Sequence, residues 1–149
     1  MKRLAVFVSG GGTNLQRIAD YFAPNPNVEI VCVVSNNKGA FANQRAKNLG
    51  IPLLVVEKEY YNSEMFIKRL ISLDIDLIVL AGFLWLIPQG LIEAFPNKII
   101  NIHPALLPKY GGKGFYGHHV HEAVVAAHEK ESGITVHYVN ERYDSGDII

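Results

Sequence analysis

A chain of 149 residues with 49% hydrophobic and 19% charged residues has the composition of one packed domain, which excludes a disordered chain. Its 14 basic and 14 acidic residues cancel, so the charge balance does not favour binding to nucleic acid or to an anionic membrane surface. The single cysteine, Cys32, excludes an intrachain disulfide, and no apolar run is long enough to cross a bilayer, so we expect a soluble, reduced, cytoplasmic protein.

Short apolar runs alternate with amphipathic segments from the N-terminus onward. The apolar runs are rich in Val, Ile and Leu, as in strands buried on both faces, and they predict strands over residues 4–8, 29–34, 53–56, 77–80 and 99–102. Between them the spacing predicts helices over residues 15–22, 41–49, 63–73 and 88–95. Asn14 precedes the first helix as a cap, and Pro88 suits the first turn of the last. The repetition predicts one doubly wound α/β domain over 1–149, a mostly parallel sheet with helices on both faces.

The pattern changes near the C-terminus. Residues 118–131 are predicted to form a helix, and 134–139 alternate as a half-exposed strand does, which we expect to join the sheet as a late antiparallel strand. In an open sheet of this kind, ligands bind beyond the carboxyl ends of the strands. The segments expected at that edge are polar or glycine-rich: 9–14, 35–38, 82–86 and the stretch that opens at Asn101.

The segment Ser9-Gly10-Gly11-Gly12-Thr13-Asn14 links the first strand to the first helix. Glycines allow close backbone approach and a helix start presents unpaired N–H groups, so the segment suits a phosphate. It matches neither GxxxxGK[ST] nor GxGxxG, which argues against ATP or NAD by those routes. The alternative is a glycine turn and Asn cap needed only for tight strand-to-helix packing.

The stretch Asn101-Ile-His103-Pro-Ala-Leu-Leu-Pro108 places polar and ring-locked residues where a strand passes into a loop, and Asp144 lies in the turn Asp144-Ser-Gly146-Asp147. Each has a structural alternative, since Asn and His cap strand ends and a carboxylate beside glycine is a common turn residue. These residues alone do not decide between a site and a turn.

Other polar and aromatic residues invite weaker hypotheses. Three histidines begin the segment His118-His119-Val120-His121-Glu122, but HExxH is absent, and we favour a helix start with solvated imidazoles over a metal site. His128 and His137 are interpreted as surface or strand residues. Trp85 either lines an aromatic ligand pocket or fills the core, and Cys32 is expected to be an inert core residue.

Four motifs together resemble one known family. They are Ser9 to Asn14, Ala81-Gly82-Phe83, Asn101 to Gly111, and Gly133-Ile-Thr-Val-His137 with Asp144-Ser-Gly146. Over essentially all 149 residues the chain resembles the folate-dependent phosphoribosylglycinamide formyltransferases. The Asn-x-His-Pro-x-Leu-Leu-Pro motif is specific to enzymes that use 10-formyltetrahydrofolate, and the glycine loop is similar to that of their purine branch.

The resemblance implies an activity and its catalytic residues. It implies a formyltransferase fold and transfer of the formyl group from 10-formyltetrahydrofolate, a co-substrate, to the amine of glycinamide ribonucleotide in de novo purine synthesis. By analogy, Asn101 and protonated His103 donate to the oxyanion of a tetrahedral intermediate, and Asp144 holds the imidazolium and helps to move the proton. No metal is implied, and the expected assembly is a monomer or homodimer.

The resemblance also implies the substrate sites. For the phosphate and ribonucleotide it indicates Gly11, Gly12, Thr13, Asn14 and Pro104. For the folate it indicates two segments, one after Gly82 and one turn near the C-terminus: Leu84, Trp85, Leu86, Ile87, Asn140, Glu141, Arg142 and Tyr143.

The chain departs from the family pattern at three places. Leu84-Trp85 stands where many relatives carry Met-Arg, and the loop from Gly111 to His119 is longer than the compact version. The sequence ends at Ile149, where the family continues with a further strand and helix, so we expect the domain to lack them. The alternatives are a formyltetrahydrofolate hydrolase, a methionyl-tRNA formyltransferase, which the neutral charge disfavours, a sugar-nucleotide N-formyltransferase, or a noncatalytic phosphate-binding module.

Overall fold

Six strands form a single sheet in a computed structural model that describes residues 1–149. Their order across the sheet is β3-β2-β1-β4-β5-β6. All neighbouring strands are parallel except β5 and β6, which pair antiparallel. In chain order the strands are β1 Lys2–Val8, β2 Val28–Ser35, β3 Leu53–Val55, β4 Leu77–Leu80, β5 Ile99–His103 and β6 Thr135–Tyr138. The predicted α/β class and the late antiparallel strand are confirmed.

Six helices connect the strands, and each of the five predicted helices differs from its expected bounds by at least one residue. They are α1 Thr13–Phe22, α2 Phe41–Asn48, α3 Lys58–Tyr61, α4 Glu64–Ile71, α5 Gln89–Ala94 and α6 His118–Ala126. The prediction that Asn14 precedes α1 is wrong, because the helix begins at Thr13 with Gly12 at the cap position. The predicted helix 118–131 is too long, since α6 ends at Ala126 and His128 adopts a left-handed φ of 53°.

The core lies in two layers, one on each face of the sheet. Along β1, Ala5 and Phe7 belong to the layer covered by α3, α4 and α5, whereas Val6 and Val8 belong to the layer covered by α1 and α2. This alternation confirms that helices cover both faces. Cys32 is buried, and burial raises the pKa of its thiol to about 11, so it stays neutral as an inert core residue.

The strand order creates the position at which a site is expected. From β1 the chain runs outward through β2 and β3, then returns to place β4 on the other side of β1. The loops after β1 and β4 therefore diverge next to each other at the carboxyl edge. A hydrogen bond joins these loops, since the Leu84 N–H donates to Ser9 Oγ at 2.9 Å. None of the helices has the length and apolar character needed to span a membrane.

Candidate active site

Strand pairing brings three polar side chains to one face at the edge of the sheet. Asn101 and His103 are two residues apart on β5, so they point to the same face. In the antiparallel register Asn101 lies directly opposite His137 of β6. His103 and His137 are almost fully buried, with exposed fractions of 3% and 2%. The pairing thus gathers an amide and two imidazoles into one small volume.

Asp144 completes the cluster from the turn after β6. Its Oδ1 lies 3.2 Å from Asn101 Nδ2, 3.3 Å from His103 Nδ1 and 3.7 Å from His137 Nε2. Its Oδ2 accepts a hydrogen bond of 2.9 Å from the Gly112 N–H. The structure therefore brings together the three residues expected to be catalytic, and a single carboxylate oxygen lies at their centre.

The protonation of His103 follows from its two partners. Its Nε2 lies 2.7 Å from the carbonyl oxygen of Tyr110, which can only accept, so Nε2 carries a hydrogen. Nδ1 then faces Asp144. Burial lowers the pKa of His103, but the hydrogen bond and charge of Asp144, with the Tyr110 carbonyl, outweigh burial and leave that pKa raised.

The pKa of Asp144 is shifted in the opposite direction to that of His103. Burial alone raises the pKa of this carboxyl group, but the hydrogen bonds from His103 and the Gly112 N–H outweigh it and hold the pKa well below its usual range. The pair is therefore an imidazolium and a carboxylate over the pH range between the two shifted values. An ion pair of this kind extends the protonated, donating form of His103 to a higher pH than in a free imidazole.

His137 is a member of the site that the sequence interpretation missed. It is a strand residue, as expected, but it lies inside the cluster and not at the surface. Its Nδ1 lies 2.8 Å from the Tyr138 carbonyl and so carries the hydrogen, which leaves Nε2 to accept from Asn101 Nδ2 at 3.1 Å. The available signal was the alternation of Thr135 and His137, which places both on one face of a strand.

The Asn101 amide and His103 Nδ1 converge on one negatively charged oxygen. Asp144 Oδ1 accepts from both at 3.2 and 3.3 Å, and the second hydrogen of the amide is held by His137. Two N–H donors aimed at one point are the arrangement that stabilises an oxyanion. A developing negative charge on an oxygen that enters beside Asp144 can be stabilised by the same two donors when their hydrogens are shared between that oxygen and Asp144 Oδ1.

Glycines make this arrangement sterically possible. A Cβ on Gly111 would lie 2.5 Å from Leu107 Cδ2 and 3.3 Å from Asp144 Cβ. A Cβ on Gly146 would collide with the carbonyl oxygen of Tyr138. Close approach to backbone therefore requires glycine at 146, whereas at Gly111 a shift of the Leu107 side chain would relieve the shortest contact.

The glycine loop after β1 bears on the two roles that the sequence left open, which are phosphate binding and tight strand-to-helix packing. Gly12 has a φ of 73°, and a Cβ there would lie 2.7 Å from Ala42 Cβ, so tight packing against α2 requires glycine at this position. A Cβ on Gly10 or Gly11 would meet nothing within 4 Å. Tight packing therefore does not explain glycine at these two positions. Thr13 and Asn14 are exposed in the first turn of α1, where N–H groups have no partner within the helix. Both the packing role and the phosphate hypothesis therefore stand.

Pro104 occupies a different part of the same edge. It follows His103 at the end of β5, two strands away from the glycine loop after β1. Its expected contact with the ribonucleotide stays a prediction.

The two segments expected to contact folate lie side by side. The Tyr143 hydroxyl is 3.3 Å from the carbonyl oxygen of Leu84, which joins the turn after β6 to the loop after β4. Leu84 and Leu86 are exposed by 44% and 43%, as side chains that line an open surface are. Asn140 shapes the turn, because its Oδ1 accepts from the Arg142 N–H. Glu141 and Arg142 are exposed within that turn.

Trp85 and Ile87 belong partly or wholly to the core. The Trp85 ring is half-buried, with ring centroids 5.2 Å from Tyr61 and 6.3 Å from Phe83, so one side of the indole fills the core. The Ile87 side chain is 3% exposed, which leaves its backbone as the part able to meet a ligand. The pocket role of Trp85 and the folate contact of Ile87 remain predictions.

The histidines at the start of α6 lie outside the cluster. His119 Nδ1 is 3.9 Å from Glu122 Oε2, and both side chains are largely exposed. No group of three or more His, Cys, Asp or Glu side chains is placed to hold a metal ion. The expectation that the site works without a metal stays a prediction.

Known proteins match this chain in sequence and in fold. The sequence profile named formyl transferase matches residues 2–149. The chain is 43% identical to the chloroplastic phosphoribosylglycinamide formyltransferase of Arabidopsis thaliana, over 99% of this chain and 53% of that protein. It is 39% identical to the phosphoribosylglycinamide formyltransferase of Haemophilus influenzae, over 100% of this chain and 71% of that protein.

A solved structure agrees with the sequence comparison. The phosphoribosylglycinamide formyltransferase from Anaplasma phagocytophilum matches with a TM-score of 0.87 and 38% identity, over 99% of this chain and 69% of that one. The chain belongs to the formyl transferase family. These three relatives are all phosphoribosylglycinamide formyltransferases, which confirms the predicted resemblance. The chain spans about half the length of the Arabidopsis thaliana relative and of a second plant relative, from Vigna unguiculata.

Proposed function

We propose that this chain contains the catalytic site of a phosphoribosylglycinamide formyltransferase. The reaction transfers the formyl group of 10-formyltetrahydrofolate to the primary amine of glycinamide ribonucleotide. The observation that supports it most directly is the convergence of Asn101 Nδ2 and His103 Nδ1 on one anionic oxygen, in a chain whose relatives have this name. A cytoplasmic location and a monomeric or homodimeric state belong to the same proposal.

The cluster supplies what the addition step requires. As the amine attacks the formyl carbon, a new C–N bond forms and the carbonyl π electrons move to oxygen, which becomes an oxyanion. This oxygen enters beside Asp144 Oδ1, where the Asn101 amide and the His103 imidazolium share with it the hydrogens that they donate to Asp144. Asp144 is retained by the Gly112 N–H, which binds its other oxygen.

The collapse of the intermediate needs a proton to move. The C–N10 bond breaks, the carbonyl re-forms, and the nitrogen of the departing tetrahydrofolate gains the proton that the attacking amine loses. Asp144 lies beside the oxyanion position and is the group placed to pass this proton. Because its pKa is held low, its main contribution is to keep His103 charged, and it is only a brief proton carrier.

The substrates fit the edge of the sheet in two parts. The ribonucleotide phosphate binds the glycine loop and the N-terminus of α1, where N–H groups and the helix dipole favour an anion. The pterin of the folate lies against the loop after β4 and the turn from Asn140 to Tyr143. Tyr143 links these segments, so binding of the ring orders both.

The test is kinetic and compares single variants of the protein as its gene encodes it. Tetrahydrofolate release is followed with and without glycinamide ribonucleotide. We expect release to require the ribonucleotide, and kcat to fall about 10²- to 10³-fold in Asn101→Ala and at least as far in His103→Ala, because each loses an oxyanion donor. His119→Ala, which changes an exposed histidine, is the matched control and should keep its activity. Release without any amine, or full activity in Asn101→Ala, would overturn the proposal.

A further inference from the structure

The imidazole of His103 is oriented by the loop that contains Tyr110, and Glu129 holds this loop from another part of the chain. Nε2 donates to the backbone carbonyl of Tyr110, and this bond directs Nδ1 towards Asp144 and the oxyanion position. The bond made by one ring nitrogen of a histidine decides how the other can act. The position of the Tyr110 carbonyl therefore decides whether His103 points at the reacting oxygen.

Tyr110 does not adopt its conformation on its own. Its φ is 56°, in the left-handed region that non-glycine residues rarely occupy, so surrounding contacts must hold it there. Its ring packs against the small cluster of Ala105, Val120 and Val124 beneath α6. Its hydroxyl donates to Glu129 Oε1 at 2.9 Å.

Glu129 holds Tyr110 from another segment of the chain, through the hydrogen bond between their side chains. It lies in the connection between α6 and β6, where the left-handed His128 ends the helix and turns the chain. Its Oε1 also accepts from Lys109 Nζ at 2.9 Å, so two consecutive loop residues meet the same carboxylate oxygen. The Lys109 side chain is largely exposed, whereas that of Glu129 is 27% exposed. The inner bond, from Tyr110, is the one that restrains the loop next to His103.

We propose that Glu129 is a positioning residue that acts through Tyr110 on His103. Its carboxylate holds the Tyr110 hydroxyl, the ring fixes the left-handed backbone, and the Tyr110 carbonyl then orients the imidazole. This role rests on the proposed function for its effect on catalysis, but the orientation of His103 is a property of the chain without substrate.

The charges around His103 are few. Asp144 faces it from the turn after β6, with His137 behind Asp144 on β6. On the loop side the Tyr110 carbonyl faces it, and Lys109 and Glu129 lie beyond that residue. Only Tyr110 bonds both to His103 and to Glu129, so loss of the Tyr110–Glu129 bond acts on His103 directly through the Tyr110 carbonyl. It acts on Asp144 only through Gly112, two residues further along the same loop.

The first readout is the pKa of His103 in the chain without substrate, measured by NMR titration of the histidine rings, with a His103→Gln sample to assign its signals. We expect Tyr110→Phe and Glu129→Ala each to lower this pKa by about half a unit, because a mobile carbonyl no longer stabilises the Nε2–H. The double variant should shift no further than either single one, since both break the same bond. Glu129→Gln retains an acceptor oxygen and should stay near the wild-type value.

Two controls separate positioning from general loosening. Lys109→Met removes only the ion pair between Lys109 and Glu129. Glu131→Ala removes a second carboxylate from the cavity of about 260 Å³ that Tyr110 and Glu129 also line. Both should leave the pKa of His103 unchanged. Circular dichroism spectra and unfolding midpoints show whether each variant is folded.

The second readout is kinetic. In an active protein, Tyr110→Phe and Glu129→Ala should lower kcat about three- to tenfold with KM within about twofold, because the imidazole is misaligned while the substrate sites are intact. An unchanged His103 pKa in both folded variants would overturn the inference, whatever kcat does. Absence of formyl transfer by the wild-type protein would overturn the proposed function alone, since the titration does not depend on it.

Discussion

His103 and Asp144 form an ion pair in which each member shifts the pKa of the other away from its ordinary value. The raised pKa of His103 contributes stability that is fully present below the imidazole value of the unfolded chain and is lost as the pH rises through the folded value. The lowered pKa of Asp144 contributes stability that is present above the carboxyl value of the unfolded chain and is lost as the pH falls towards the folded one. The pair is therefore most stabilising between mildly acidic and neutral pH.

An Asp144→Asn variant tests this window. The amide removes the charge that offsets burial, so we expect the pKa of His103 to fall below its ordinary value. The free energy of unfolding should fall by about 1–3 kcal/mol at pH 6 and by less at pH 9, where a smaller fraction of the wild-type imidazole is protonated. Denaturant titrations at the two pH values measure the difference. An equal loss at both would show that the imidazolium contributes nothing to the pair.

For individual residues, the sequence predicts part of the site. Asn101, His103 and Asp144 were found because their motifs resemble those of a family, and the structure brings them together. His137 was not found, because its partner Asn101 is 36 residues away and meets it only through antiparallel pairing of β5 with β6. Single-sequence patterns show which face a residue occupies, whereas strand register decides what it faces.

The turn after β6 shows how an element positions a side chain. Asp144 has a left-handed φ of 51°, and Gly146 passes so close to the Tyr138 carbonyl that a side chain has no room. The turn therefore aims the carboxylate inward only while its backbone lies against β6.

Gly146→Ala tests this contact. The new Cβ must push the turn away from Tyr138, which moves Asp144 off Asn101 and His103. We expect a loss of about 2–4 kcal/mol in the free energy of unfolding and a lower pKa for His103. Gly39→Ala is the matched control, because its nearest neighbour would be at 3.5 Å, an ordinary contact. A Gly146→Ala variant with wild-type stability and titration would show that the close approach is not needed.

Element bounds were predicted well where periodicity is long and poorly where a local conformation decides. The buried strands are found from their Val, Ile and Leu runs, because both faces are covered. The four residues of α3 were not predicted, since so short a segment shows no helical period. The end of α6 was misplaced because the left-handed residue after it is His128, where glycine or asparagine would be the usual signal.

At the scale of the whole molecule, strand order places the two loops that we propose bind the substrates next to each other. β1 and β4 are neighbours at the point where the chain reverses direction across the sheet, so their loops open a crevice at the carboxyl edge. β5 and β6 bring the cluster of Asn101, His103 and His137 to the same edge from one side. In this order the loop after β4, where we propose that the pterin binds, lies between the glycine loop after β1 and the Asn101 and His103 side chains of β5.

The central claim is that this edge transfers a formyl group to an amine. The most direct measurement supplies 10-formyltetrahydrofolate labelled with carbon-13 in the formyl group, together with glycinamide ribonucleotide, and follows the label by NMR. We predict that the label appears on the ribonucleotide amine in the wild-type protein and that its transfer slows about 10²-fold or more in Asn101→Ala. Label released as formate, or label that remains on the folate with a folded protein, would contradict the claim.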